Sequence, residues 1–172
     1  MNTKTVCLLG LLGGLLVTMA VSPLALPAMA AETIEMGTIE MSEKLVNEMP
    51  DGNHCSVPVP PVGIPQTTVY LKNTQCKNDQ VRYFRFVNVP SPTTVAFQND
   101  DDCDGTSWEL RVEAIKHPIT SRWKSLQDIR TTATGNLVTT GVRKVHDNEN
   151  TDQIPGKLSC MQIWPPEPSK KR

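Results

Sequence analysis

The sequence predicts an all-β fold, a Greek-key β-sandwich held by two disulfides. Three observations support this prediction. Apolar and polar residues alternate with period two over short segments, as strands with one buried face require. Turn signals separate these segments, and the 172 residues include 14 Pro and 10 Gly. Four cysteines remain once the N-terminal leader is removed, and an even number in an exported chain indicates disulfides.

Residues 1–30 are predicted to be a signal peptide. Lys4 supplies a positive start, Val6 to Val21 is an almost unbroken apolar run, and Ala28-Met29-Ala30 places small residues before a cleavage point at Ala31. The apolar run is shorter than the roughly 20 residues that span a bilayer. We therefore expect a secreted or periplasmic mature chain with no transmembrane segment, from which Cys7 has been removed.

The mature chain is predicted to have three parts. Residues 31–65 form an acidic, then proline-rich lead-in that is expected to be largely irregular, with a docking arm as the alternative for its acidic portion. Residues 66–164 form the β-sandwich domain. Residues 165–172 form a disordered basic tail.

Short strands follow one another through the domain. Val81 to Asn88 and Thr93 to Gln98 flank a Pro-rich turn and are predicted to pair as a hairpin. The clearest one-sided strand places Trp108, Leu110, Val112 and Ala114 on its apolar face. Further strands are predicted at 67–72, 137–140, 142–146 and 158–164. Segments this short must share a core, which favours a sandwich or compact barrel.

Cys55, Cys76, Cys103 and Cys160 allow three disulfide pairings. Their spacing lacks the C-x2-C knuckles of a zinc site. If strands 81–88 and 93–98 form a hairpin, Cys76 and Cys103 lie at the same end of the sheet. The sequence therefore favours Cys76 with Cys103 and Cys55 with Cys160, the second bond joining the two ends of the domain.

Five short strings occur in order along the domain, namely Cys76-Lys77-Asn78-Asp79, Phe86 to Val95, Asn99 to Cys103, Trp108-Glu109 and Gly156 to Ser159. In this order the chain resembles small secreted βγ-crystallin-like proteins, a group that includes killer toxins and a metalloprotease inhibitor. The resemblance covers residues 66–164. It implies a double Greek key of two four-stranded motifs, with calcium at loops that carry two Asn or Asp followed by a Ser/Thr-Ser pair.

Two acidic segments are candidate calcium ligands because carboxylate and amide oxygens suit this hard cation. The candidate ligands are Asn99, Asp100, Asp101, Asp102, Asp104, Asp147 and Asn148. Both segments depart from the crystallin loop motif, since Cys103 displaces the register of the first and Asp152 replaces a Ser in the second. Two interpretations stay open, a weak calcium site and a solvated acidic loop.

Composition and motifs narrow the function classes. A net charge of −1 argues against a dedicated nucleic-acid binder. His54, His117 and His146 lie on unrelated segments, and Glu109 and Glu113 lie about 13 Å apart along one strand face. No catalytic residues are assigned, and an enzyme is not the favoured class.

The favoured function is a monomeric, exported binding protein whose loops contact an extracytoplasmic protein or surface. One alternative is a small secreted hydrolase that acts on an extracytoplasmic polymer. Another alternative is a secreted protease inhibitor or toxin. A concave cleft with converging carboxylates or histidines would favour the hydrolase.

Overall fold

A computed structural model describes residues 37–148 and 150–168. The predicted signal peptide, residues 1–30, lies outside the described residues, as do Cys7 and the basic end of the predicted tail, Lys170 to Arg172. In the part of the chain that is described, no helix is long and apolar enough to cross a membrane.

Four strands form a small antiparallel sheet with the order β2-β1-β4-β7. They are β1 Thr38–Val46, β2 Met49–Pro58, β4 Tyr83–Val87 and β7 Lys124–Ser125. Along β1 and β4 the residues Ile39, Met41, Phe84 and Phe86 are fully buried, whereas Thr38, Glu40 and Arg85 at alternate positions are partly exposed. The sheet therefore has one apolar face directed at the core.

Six strands form a larger antiparallel sheet with the order β3-β10-β5-β6-β9-β8. They are β3 Thr67–Tyr70, β5 Thr93–Gln98, β6 Glu109–Ala114, β8 Leu137–Thr139, β9 Val142–Asp147 and β10 Cys160–Trp164. The last strand returns to pair with β5, so that β10-β5-β6-β9 has the spatial order of a Greek key. Along the chain, β6 and β9 are not consecutive, because β7, a short helix and β8 lie between them.

The two sheets pack face to face. Phe84 of the small sheet contacts Phe97 of the large sheet, with 5.0 Å between ring centroids. Leu110, Val112 and Ala114 of β6 are fully buried, as their alternation predicted. The predicted all-β sandwich with two disulfides is confirmed.

A short α-helix, α1 Leu126–Thr131, follows β7 in a segment for which no strand was predicted. Ser125 caps it by accepting a hydrogen bond from the Asp128 backbone N–H, and the Asp128 side chain accepts from the Ser125 N–H. Leu126 and Ile129 are fully buried. Burial of this apolar face holds a helix that is too short to be stable alone.

The prediction that residues 31–65 are largely irregular is wrong for the described part of that segment. Residues 38–58 form β1 and β2, which pair along most of their length. The acidic composition was taken to indicate irregular structure. The glutamates are nevertheless compatible with a strand, because they occupy outward positions where charge is tolerated. Glu40, for example, forms an ion pair with Arg85 on the neighbouring strand, while Ile39 and Met41 on either side face the core.

The predicted hairpin between residues 81–88 and 93–98 is also wrong. β4 belongs to the small sheet and β5 to the large one, so the connection at 88–92 crosses between sheets. Pro90 and Pro92 lack the N–H groups that a hairpin ladder needs. Val89 instead exchanges backbone hydrogen bonds of 2.9 Å with Ile119.

The favoured disulfide pairing is wrong for the same reason. The observed bonds join Cys55 to Cys76 and Cys103 to Cys160, with Cα–Cα distances of 5.0 and 5.9 Å. Because β4 and β5 do not pair, Cys76 and Cys103 are not brought together. Cys76 meets β2 of the small sheet, and Cys103 meets β10, two strands away from β6 in the large sheet.

The prediction that the disordered tail starts at residue 165 is wrong. Pro166 is buried, and its carbonyl accepts a 3.1 Å hydrogen bond from the Gly63 N–H. Residues 165–168 are therefore anchored to the proline-rich connection between β2 and β3.

Candidate binding cleft

Three loops converge at one open cleft of about 560 Å³. They are residues 74–82 before β4, residues 99–108 between β5 and β6, and the described residues 148 and 150–159 between β9 and β10. The described lining residues are Asn78, Asp79, Asn99, Asp100, Asp101, Asp102, Asp104, Thr106, Ser107, Asp152, Gln153, Lys157 and Ser159. We call this site the acidic cleft.

The first loop is joined to the other two. Asn78 Nδ2 lies 3.5 Å from Asp101 Oδ1, and the Asp79 backbone N–H donates to Leu158 O at 3.2 Å. The Cys103–Cys160 disulfide ties the second loop to the start of β10, and Cys103 is almost fully buried. The cleft is therefore assembled by covalent and hydrogen-bonded links between segments that are distant in sequence.

The loop between β5 and β6 is organised by its own side chains. Asp100 Oδ1 accepts hydrogen bonds from the Ser107 N–H at 2.9 Å and from Thr106 Oγ1 at 3.2 Å. Asn99 Nδ2 donates to Ser107 Oγ, and this hydroxyl donates to Asp152 Oδ2, both at 3.2 Å. These bonds close the loop and attach it to the segment before β10.

The backbone conformation at one position of this loop favours glycine. Gly105 has φ of +73°, and a Cβ atom there would lie 2.9 Å from Glu109 Oε2. Glu109 is buried beneath the loop, next to Arg111. The loop thus lies directly over the end of β6.

The acidic cleft is strongly negative. Six aspartates and one lysine, Lys157, are the charged groups among its described lining residues. The Thr106 backbone N–H, which donates to Asp104 Oδ1 at 2.9 Å, lowers the pKa of the exposed Asp104 carboxyl. This carboxylate therefore remains charged at neutral pH and is a poor proton donor.

Two oxygens at the cleft lack hydrogen-bond donors. Asp100 Oδ2 and Asn78 Oδ1 are both buried atoms without a partner among the described protein groups. Buried oxygens normally accept at least one hydrogen bond. Their environment is therefore suited to a donor or a cation supplied from outside the chain.

The predicted calcium ligands divide into two groups. Asn99, Asp100, Asp101, Asp102 and Asp104 all line the acidic cleft. Asp147 instead lies against Lys144 Nζ at 2.8 Å and Arg130 Nε at 3.2 Å, in a mostly buried ion cluster. Asn148 Oδ1 accepts from the Glu109 N–H at 3.0 Å, and its amide donates to Ser107 O, so it supports the loop from outside the cleft.

The described residues contain no group of three or more acidic, histidine or cysteine side chains placed to hold one metal ion.

Sequence reasoning did not identify the lining residues that the other two loops contribute, among them Asn78, Asp79, Asp152 and Lys157. Each is an ordinary loop residue whose spacing carries no signal. Only the crossing of β4 to the small sheet and the Cys103–Cys160 bond bring these loops together.

The three histidines lie at separate places outside the cleft. His54 lies 3.9 Å from Glu40 and contacts the Trp123 ring edge to face. His117 Nδ1 accepts from the Ser91 N–H at 3.1 Å, and His146 lies 3.9 Å from Glu109. Glu113 forms an ion pair with Arg143. None of these groups lines the acidic cleft as the structure describes it.

Comparison of the chain with family models, with curated proteins and with solved structures gave no match.

Proposed function

We propose that this protein is an exported, disulfide-stabilised binding protein that holds a cationic segment of an extracytoplasmic protein in the acidic cleft. The observation that carries the proposal is the convergence of six aspartates and one lysine on one open, concave surface. Clefts lined by charge of one sign concentrate ligands of the opposite sign. The ligand class follows from this charge, namely lysine or arginine side chains.

The architecture around the cleft supports binding by a preformed site. The Cys103–Cys160 bond and the internal hydrogen bonds of residues 99–107 hold the carboxylates in place before a ligand arrives. Preorganisation lowers the entropy that binding must overcome. The two disulfides are compatible with an oxidising compartment, which agrees with export.

Two narrower functions compete for the same cleft. Calcium would use the carboxylates of residues 99–104, as the resemblance to βγ-crystallin-like proteins implies. A secreted hydrolase would need one protonated carboxyl as general acid. The lowered pKa of Asp104 opposes that role for this residue. A protease inhibitor or toxin would be a special case of the binding protein.

The test measures binding of a nona-arginine peptide to the oxidised mature chain by calorimetry. We expect binding that weakens as salt is raised, because screening shortens the range of the charges. Asp101→Asn with Asp102→Asn, two exposed carboxylates of the cleft, should weaken it at least about tenfold, since two charge contacts are lost. Glu113→Gln with Glu167→Gln, which remove equal charge outside both the cleft and the β1–β2 hairpin, should leave it unchanged.

The outcomes separate the candidates. Equal losses in both double variants, or no binding, would contradict the proposal. A melting temperature that rises with millimolar calcium, and does so only with Asp101 and Asp102 intact, would assign a metal site instead. Release of soluble fragments from peptidoglycan, abolished in the cleft variant, would assign the hydrolase.

A further inference from the structure

The β1–β2 hairpin presents an exposed apolar tip. Val46 and Met49 are directly paired across the two strands and are 55% and 66% exposed. Pairing between β1 and β4 ends at Ser42, whereas pairing between β1 and β2 continues to the tip. The outer half of this hairpin, residues 43–52, thus extends past the strand that flanks its base.

The hairpin is braced rather than loosely attached. A bulge lies between the pairs Ser42–His54 and Lys44–Asp51, and the buried Ser42 hydroxyl lies 2.6 Å from Lys44 O and 3.2 Å from Asp51 O. Bulges redirect strands and increase their twist. The Asn53 N–H donates to Glu43 Oε2 at 3.1 Å, which fixes a flanking carboxylate.

The base of the hairpin is also anchored. Cys55 of β2 is bonded to Cys76, and the Asn53 side-chain amide donates to Cys76 O. The direction of the tip is therefore set before any partner is met. A preformed convex element loses little conformational freedom when it is buried.

Charge around the tip narrows the choice of partner. Glu43, Glu48 and Asp51 are acidic, and Lys44 is the basic residue among positions 43–52. An anionic membrane surface attracts basic segments and repels acidic ones. An apolar pocket in a protein would accept the two side chains, and lysine or arginine at its rim would complement the flanking carboxylates.

We propose that the hairpin tip, Val46 and Met49, inserts into an apolar pocket with a basic rim on an extracytoplasmic protein. This surface shares no residue with the acidic cleft. The proposal therefore goes beyond the cleft's function, and either can fail without the other.

The experiment places a photo-reactive phenylalanine analogue at position 49 of the oxidised chain. The matched control carries it at position 137, because Leu137 of β8 is also 55% exposed. Both are irradiated with the secreted-protein fraction of the producing cells, and the protein captured at position 49 is purified. Wild type, Val46→Ser with Met49→Ser, and Leu137→Ser are then titrated with that purified protein.

We expect the tip variant to bind at least about tenfold more weakly, with Leu137→Ser unchanged. Unaltered unfolding midpoints of the variants would show that the fold is intact, since both tip side chains are already exposed. Equal capture at positions 49 and 137, or a captured protein that binds the tip variant as well as wild type, would overturn the proposal. Tip-dependent binding to phosphatidylglycerol vesicles would also overturn it, in favour of a membrane surface.

Discussion

At the scale of single residues, backbone N–H groups determine the chemistry of the acidic cleft. Asp104 is exposed, yet its pKa is lowered because the Thr106 backbone N–H, and then its hydroxyl, stabilise the carboxylate. Asp100 similarly accepts from the Ser107 N–H, while its second oxygen has no described donor. The loop backbone thus fixes the orientation of the Asp100 and Asp104 carboxylates, whereas the sequence shows only that they are present.

Asp104 makes one contribution to acid sensitivity whose sign is defined. Because its folded-state pKa lies below the usual aspartate value of about 3.9, the stabilisation is present above that pH and is lost as pH falls through the lowered pKa. Asp104→Asn should therefore lose less stability than wild type between about pH 5 and pH 3. Urea unfolding at both pH values measures this, with an NMR titration of the carboxyl in wild type. Equal acid losses in the two proteins would contradict it.

At the scale of elements, the connections decide more than the strands do. The strands at 93–98 and 109–114 form as their alternation predicts, and they pair. The chain between Asn88 and Thr93 instead crosses from one sheet to the other, which changes the neighbours of every loop at the cleft. The positions of the two disulfides depend on these connections. The Cys55–Cys76 bond lies at the base of the β1–β2 hairpin, and the Cys103–Cys160 bond lies at the acidic cleft.

The two disulfides should contribute unequally to stability. The sequence separations are 21 for Cys55–Cys76 and 57 for Cys103–Cys160. On the chain-entropy model these loops correspond to about 3 and about 4 kcal/mol as upper limits. Cys103→Ser with Cys160→Ser should therefore lower the free energy of unfolding more than Cys55→Ser with Cys76→Ser, as measured by urea denaturation.

The variant Cys103→Ser with Cys160→Ser should also bind the nona-arginine peptide more weakly than wild type, because residues 99–107 are no longer covalently bonded to β10. Peptide mapping of the unreduced wild type is the control for connectivity. A fragment that joins Cys76 to Cys103 would contradict the pairing on which this prediction depends.

At the scale of the whole molecule, contact between the two sheets holds the sandwich together. Phe84 and Phe97 meet across the core, and Trp108 is fully buried with its Nε1–H donating to Gln153 O at 3.1 Å. Trp108 thereby links the core to the segment that lines the cleft. Core packing and cleft geometry are therefore coupled through one side chain.

Phe97→Ala should destabilise the fold by about 3–5 kcal/mol, because the fully buried ring leaves a cavity between the sheets. Thr94→Ala on the same strand is the matched control, since Thr94 lies on the opposite face of β5 from Phe97 and is itself partly exposed. Its cost should stay within about 1 kcal/mol. Chemical denaturation measures both, and similar losses in the two variants would show that Phe97 does not bridge the sheets as described.

The quality of the sequence predictions varied with the kind of information each needed. Alternation located the inward face of β6, and oxygen-rich composition located the loop at residues 99–104. β1 and β2 were missed because Glu40 and Glu43 dominate the composition, although Ile39 and Met41 already alternate at the spacing of a strand. The contributions of Asp79 and Asp152 to the cleft could not be predicted, since each depends on where a distant loop is placed.

The sequence by itself determined that the chain is all-β, that it contains two disulfides, and that one loop concentrates carboxylates. These properties depend on neighbours a few residues apart, through period-two burial, even cysteine number and local composition. Only the tertiary structure decided which strands share a sheet, which cysteines meet, and which loops form the acidic cleft. Those outcomes depend on contacts between residues far apart in the chain, because burying both sheets in one core sends β4 and β5 to opposite sides of it.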